Sequence, residues 1–431
     1  MTKVKLSDSM TLGFALFAMF FGAGNLIFPP FLGYTSGANW FIGFVFFIAA
    51  DAGLSLLALY VIARVGHGAE GITEVLGNKV SKLFLAISCL CIGPFIAIPR
   101  TGAITYELGV APLVNVSSIV VTVIFFLICF VLSIRRSQIV DMIGKFLSPL
   151  MFAALMVLVI KGIIDPVGEI NFSGDLAPVI KSGITSGYQT MDMMGAAVLS
   201  VAVVYEINQK GHTTPKAQFR IITSSGLVCG LLLFIVYGGL AFLGATASGN
   251  YPAGMTQTGL LTTITRTLMG DAGLIILAII VACACMTTAV GLMTSVSSFF
   301  SDLTGNRVSY EVFVVIFTLF SLVVSNFGIS TIISMAAPVL EVIYPVLIVL
   351  TVLRVFDSHI RDKYIYYTAL AAAIAVSFLS TLGSLLGFSF GLERLPLADL
   401  GFEWVLPTAA AVLIAVIVSL ARGRGLHEKL N

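Results

Sequence analysis

Runs of about 20 apolar residues recur along the whole of this 431-residue chain, each the length an α-helix needs to cross a bilayer core of roughly 30 Å. Gly, Pro and charged residues punctuate them into twelve segments. These lie near 9–33, 39–63, 80–105, 116–134, 141–162, 183–205, 217–245, 273–300, 310–326, 329–353, 365–388 and 404–421. Two of the runs are interrupted at mid-depth. The first carries FGAGNLIFPP at residues 21–30, and the sixth carries SGYQTMDMMGA at residues 186–196.

Inside a membrane every backbone N–H and C=O must find a partner, so non-helical backbone survives only within protein or beside a polar cavity. The first run therefore reads as helix, unwound turn, helix. A new half-helix beginning near Leu26 would place Pro29 in its first turn, where a missing N–H costs nothing. The amides of Ala23, Gly24 and Asn25 would then face a cavity at a positive dipole end, suited to a carboxylate. Carbonyls ending the preceding half-helix, near Ala18, Phe20 and Phe21, would present the opposite polarity to a cation. The competing reading is that the glycines only let helices pack closely, which is accepted here for Gly13. The breaks fall in the first and sixth of the segments. If segments one to five and six to ten are repeats, the odd number in each inverts one relative to the other, and broken helices in matching positions point to a transporter's central site. The symmetry rests on placement, since the halves share no strong residue identity.

Composition narrows the class. The chain is 58% hydrophobic and 10% charged, against roughly 25% charged in soluble domains, so an all-α integral membrane protein is expected. Of the 23 basic residues, 18 fall on the side that holds both termini, which makes that side cytoplasmic. Trp40 and Trp404 then open the second and twelfth segments at the outer interface. Lys3 and Lys5 precede the first run without a convincing cleavage site, so it reads as a span of the mature protein. The six cysteines lie in apolar runs and the four histidines in loops or the tail, a pattern for neither metal nor redox chemistry. No Walker A pattern appears, so any pumping must draw on another energy source. The longest outer loop, around 246–272, carries GLLTTITRTLMG, which suits a short amphipathic lid helix.

The runs MFFGAGNLIFPPFLG, GPFIAIPRTGAITYE and YQTMDMMGA resemble the bacterial branched-chain amino acid:cation symporter family, over essentially the whole chain. The resemblance implies a LeuT-like fold, with a five-plus-five inverted repeat, discontinuous helices 1 and 6, and two extra helices. The chain would then be one transporter domain over 1–431: repeat one about 9–162, repeat two about 183–353, extra helices about 365–421. It implies a bacterial plasma-membrane protein that moves leucine, isoleucine and valine inward with Na⁺, with no cofactor and no nucleic-acid partner. By the same resemblance the Ala23 and Gly24 amides would hold the substrate carboxylate. Ala284, Thr287 and Thr288, on one helix face, would hold Na⁺ with the Ala18 and Phe21 carbonyls. Without the resemblance, adjacent threonines in a membrane helix simply bond back to their own carbonyls. Asp192 falls where the fold receives an ammonium group or a second ion; amine, Na⁺ and proton all remain open for it. Asn25, Tyr188, Gln189, Thr190 and Met193 complete the expected substrate-binding set.

The remaining intramembrane charges are Asp51, Arg100, Glu107 and Glu341. Arg100 and Glu107 stand seven apart and so are expected on one side of the third segment. An Arg100–Glu341 ion pair suggests an outer gate, or equally a fixed structural pair. Asp51 is read as packing or hydrogen bonding with no assigned role. Lys3 or Lys5 with Asp302 would form an inner latch or merely a solvated face. The expected function is secondary active import by alternating access. A proton-coupled or exchange carrier for another small neutral amino acid or nucleobase is the alternative. A channel is disfavoured by the lack of repeated filter residues, and an enzyme by the lack of an intramembrane histidine or a zinc motif.

Overall fold

The computed structural model describes residues 6–422 apart from 66–67, 135–138, 171–174, 199–206, 208–213, 253, 361 and 389. The Lys3 or Lys5 latch lies outside the described residues. Every regular element described is helical. In chain order they are α1 (Leu6–Phe20), α2 (Ala23–Ser36), α3 (Trp40–Ile48), α4 (Leu54–Val65), α5 (Gly68–Thr73), α6 (Asn78–Leu90), α7 (Ala97–Ile104), α8 (Ser118–Ile134) and α9 (Ile139–Ile164). The second half holds α10 (Leu176–Thr190), α11 (192–198), α12 (Pro215–Ala247), α13 (Gln257–Leu303), α14 (Tyr310–Ser325), α15 (Ile329–Val355), α16 (Lys363–Leu386) and α17 (Val405–Ala421). Among the described residues, six helical stretches are long and apolar enough to cross a membrane, and five shorter apolar helices accompany them.

The helices sort their faces as lipid-embedded helices do. On α8, Ile119, Val123, Leu127 and Val131 point outward while Thr122, Phe125, Phe126 and Cys129 are buried. Both faces are apolar, so polarity cannot tell inside from outside; what marks the inner face is aromatic bulk, small residues and hydroxyls. Helix α13 fuses the predicted lid to the membrane helix. GLLTTITRTLMG is helical, buries Leu260, Leu261, Ile264 and Leu268, and ends where the backbone turns at Gly270 (φ 63°).

The first predicted run is broken, but not where the prolines suggested. The break falls at Phe21–Gly22 and α2 begins at Ala23, three residues before the expected Leu26. Pro29 and Pro30 are its seventh and eighth residues, so they do not occupy a first turn. They leave the Asn25 and Leu26 carbonyls without their usual i+4 donors. Close helix approach is also built in: a Cβ on Gly33 would stand 1.8 Å from the Ala241 carbonyl oxygen, and one on Gly244 would stand 1.8 Å from that of Pro30. The bare backbones of α2 and α12 are thus in contact. Gly13 is matched to Val228 in the same way, its absent Cβ sparing a 2.5 Å clash. One unbroken helix, α12, therefore splints both halves of the broken one.

Three further irregularities face the same interior. Residues Ala49–Gly53 form a π-turn between α3 and α4. Cys91–Phe95 is wound the same way, with Gly93 non-helical before Pro94. The sixth run breaks at Met191. The Gly33–Ala241 contact yields a direct prediction. Gly33→Val is expected to lower stability by about 1–3 kcal/mol or more through overpacking, read as a lower thermal midpoint of the purified protein, whereas Gly291→Val, at an open position, is expected to change it little.

Candidate functional site

At the first break, the Phe21 N–H still closes the helical bond to the Phe17 carbonyl at 2.7 Å. The Gly22 N–H leaves the ladder. Instead of reaching the Ala18 carbonyl it meets Asn25 Oδ1 at 3.3 Å, so the third residue of α2 reaches back to the residue before the helix. The other end of the Asn25 amide donates from Nδ2 to Asp192 Oδ2 at 2.7 Å and to the Tyr237 hydroxyl at 2.5 Å. These partners fix the amide's orientation, an oxygen toward an N–H and a nitrogen toward a carboxylate. One buried side chain thereby joins both breaks to the α12 splint.

At the second break, α10 ends at Thr190, and Met191 adopts a left-handed conformation with φ 67° before the chain re-enters a helix at Asp192. A methionine with positive φ is strained, and surrounding contacts hold it there. Arg100 of α7 is 4% exposed; its Nη1 donates to the Gln189 carbonyl at 2.5 Å and its Nη2 to the Thr190 carbonyl at 3.2 Å. A guanidinium thus sits on the negative end of the α10 dipole. It also lies against Gly24, where a Cβ would stand 2.7 Å from Nη2. The Thr190 hydroxyl lies 2.8 Å from Asp51 Oδ1 on the Ala49–Gly53 π-turn.

The two breaks share a cavity of about 30 Å³ whose polar wall is Gly22, Ala23, Asn25, Arg100, Thr190, Asp192 and Thr288. Met19, Phe20, Ile92 and Leu292 form its apolar side. This volume suits a water or a bare ion and is too small for an aliphatic amino acid in the present geometry. Thr288 Oγ1 is buried on this wall with no hydrogen-bond partner.

The expected site residues divide accordingly. Ala23, Asn25, Thr190, Asp192 and Thr288 meet at the cavity. Gly24 is turned to Arg100, and Gln189 contributes its carbonyl to Arg100 while its own Oε1 is buried without a partner. Tyr188 stacks on Tyr344 at 4.6 Å between ring centroids. Met193 is buried outside the cavity wall. Thr287 bonds back to the Cys283 and Ala284 carbonyls at 3.1 and 3.0 Å, so its hydroxyl faces its own helix. Ala18, Phe21 and Ala284 do not line the cavity, although the Ala18 carbonyl has lost its helical donor at the break.

The charged residues of the third segment behave differently from the expectation. Thr105–Val110 is wound as a π-turn, so the α-helical seven-residue register between Arg100 and Glu107 no longer applies, and the two have different hydrogen-bond partners. Glu107 instead accepts from Thr258 Oγ1 at 2.7 Å and from the Ile329 N–H at 2.9 Å, pinning the start of α13 to the start of α15. Arg100 makes no ion pair with Glu341, whose charged neighbours are Lys181 and Glu403. The gate pair is absent here because α10 carbonyls occupy the guanidinium. Asp51, to which the sequence reading gave no role, is 1% exposed beside the second break. Its lone charge in an apolar run was the available signal. Tyr237 gave none, since a tyrosine in an apolar run is unremarkable until its hydroxyl is located.

With this geometry in hand, the chain was compared with known proteins. Residues 5–422 match the family model described as branched-chain amino acid transport protein. The branched-chain amino acid permease BraB of Bacillus subtilis is 35% identical, with 97% of each chain covered. The branched-chain amino acid transport system 2 carrier protein of Pseudomonas aeruginosa is 36% identical, with 98% of this chain and 99% of that one covered. Among solved structures, a Na⁺-coupled sialic acid symporter in a substrate-bound outward-open state aligns with a TM-score of 0.61 at 17% identity, over 97% of this chain and 91% of that one. That likeness gives the fold, a LeuT-type helical arrangement, and the sequence matches give the family. The chain belongs to the branched-chain amino acid transport protein family of bacterial membrane permeases.

Proposed function

We propose that this protein imports leucine, isoleucine and valine together with Na⁺ by alternating access. Its twelve spans would form a five-plus-five inverted repeat with both termini in the cytoplasm, and spans 1–5 and 6–10 would be the two repeats. The carrying observation is the convergence of two half-helix ends of opposite polarity on one buried polar cavity, in a member of this family. A zwitterion is recognised by such a pair of ends. The first-turn amides of α2, at Ala23, Gly24 and Asn25, suit the carboxylate. Asp192 suits the ammonium group, which desolvation would otherwise penalise. Tyr188, Gln189, Thr190 and Met193 would shape the surrounding pocket as the element carrying both breaks rocks and the cavity widens.

For the ion, the donor chemistry favours Thr288. Its hydroxyl is buried and unpaired, close enough to Gly22 that a Cβ there would stand 3.3 Å from Oγ1. The Ala18 carbonyl, freed at the same break, supplies a second hard oxygen, with the Phe21 and Ala284 carbonyls as the remaining candidates. Thr287 orients the Ala284 carbonyl rather than offering its own hydroxyl. Ion and substrate share the break, so binding of one pre-forms the backbone geometry the other needs. That is a coupling free energy between sites, and it is reciprocal.

In proteoliposomes, radiolabelled leucine uptake is expected to be stimulated by external Na⁺ over choline. Thr288→Ala is expected to raise the Na⁺ concentration for half-maximal uptake about tenfold or more, the order lost with one contact to a charge, and Thr287→Ala several-fold less. Equal uptake with choline and no proton gradient would reject symport. Asn25→Ala tests the link between the breaks. It leaves the Gly22 N–H and Asp192 Oδ2 short of a partner, so a stability loss of about 1–3 kcal/mol together with loss of leucine binding is expected; retained binding with full stability would contradict its role.

A further inference from the structure

Asp51 is a buried acid that the proposed transport site does not use. Its carboxyl collects few donors. The Thr190 hydroxyl lies 2.8 Å from Oδ1, but it also lies 2.6 Å from the Gly187 carbonyl and has one proton for both acceptors. Oδ2 is buried without a hydrogen-bond partner. Within reach are the Asp192 carboxyl, which brings no donor of its own when ionised, and the Tyr237 hydroxyl, which accepts from Asn25 and keeps one proton to donate. An ionised carboxylate away from water is normally met by two or three donors.

Asp192 is placed in the opposite way. It accepts from Asn25 Nδ2 at 2.7 Å. It opens the helix over 192–198, where first-turn amides and the dipole favour negative charge, and it faces Arg100. Among the described residues, the other ionisable groups that interact with the two acids are Tyr237 and Cys229 from α12 and Tyr344 from α15, all neutral in their ordinary forms. The cluster therefore holds one guanidinium and two carboxyls. With one proton it is neutral; with none, two buried anions face each other with Arg100 the one cation among the described residues to offset them.

We propose that Asp51 and Asp192 share a single proton, seated on Asp51 and donated to Asp192, and that this proton must be in place for the transported amino acid to bind. The proton stays on an oxygen throughout and no covalent bond to carbon or nitrogen changes. Its hydrogen bond ties the π-turn of Ala49–Gly53 to the second helix break and aims the charged Asp192 into the cavity. Without it, repulsion drives the two acids apart and the α10–α11 turn loses its support on that side. The binding half of this proposal rests on the amino-acid reading above; the shared proton does not.

The test is infrared spectroscopy of the purified protein without substrate, paired with leucine binding across pH. The wild type is expected to show a protonated-carboxyl C=O stretch at neutral pH that is missing from Asp51→Asn and that disappears as pH rises. Over that same range wild-type leucine affinity is expected to weaken about tenfold per pH unit, the slope of one proton. Asp51→Asn keeps an N–H toward Asp192 and is expected to flatten that profile, whereas Asp192→Asn is expected to abolish binding at every pH. Identical infrared bands in wild type and Asp51→Asn, or equal pH slopes in the two, would overturn the proposal. If Asp51→Asn fails to fold, the wild-type band must still vanish in step with leucine affinity, and a band that does not titrate with affinity overturns it. A protein that shows the band but binds no leucine at any pH would reject the substrate assignment while leaving the shared proton standing.

Discussion

A peptide N–H or C=O set loose at mid-membrane costs several kcal/mol unless something polar meets it. The architecture around residues 21–25 and 189–192 answers that constraint at three of the loose ends. Asn25 Oδ1 takes the Gly22 N–H, and Arg100 takes the Gln189 and Thr190 carbonyls. Among the buried side-chain atoms left without a partner near the breaks are the Thr288 hydroxyl, one oxygen of Asp51 and Gln189 Oε1.

The same constraint explains why polar side chains lie so far apart in sequence yet meet. Asn25, Asp192 and Tyr237 come from three different elements, and α12 is continuous through the region where its neighbours are broken. Bare-backbone contact at Gly33 and Gly244 holds the broken helix against that splint. The continuous helix stands beside both breaks, and one amide, that of Asn25, bonds to both of them and to α12.

How legible this was in the sequence depends on which physical effect placed each residue. The broken first run could be read because Gly, Asn and Pro are poor occupants of a lipid-crossing helix, and Asp192 because a charge there is costly. The joint itself was misplaced by three residues. Two prolines are tolerated in the second turn of α2, beside a glycine on α12, and that compensation is tertiary. Likewise the sixth run turns at Met191 rather than at either of its glycines, because contacts around it outweigh the local preference. Glu107 was placed by α-helical spacing and Asp51 was given no role, and both sit in π-turns, which no hydropathy pattern announces. Arg100 was paired by charge with an acid, whereas the negative end of a helix reached it first.

The most direct test of this account is an experimentally determined density map of the protein with Na⁺ and leucine bound. The account predicts interrupted helices at residues 21–22 and 191, with the leucine carboxylate against the first-turn amides of α2 and its amino group toward Asp192. A continuous α-helical ladder through either break, or leucine bound away from both, would contradict it.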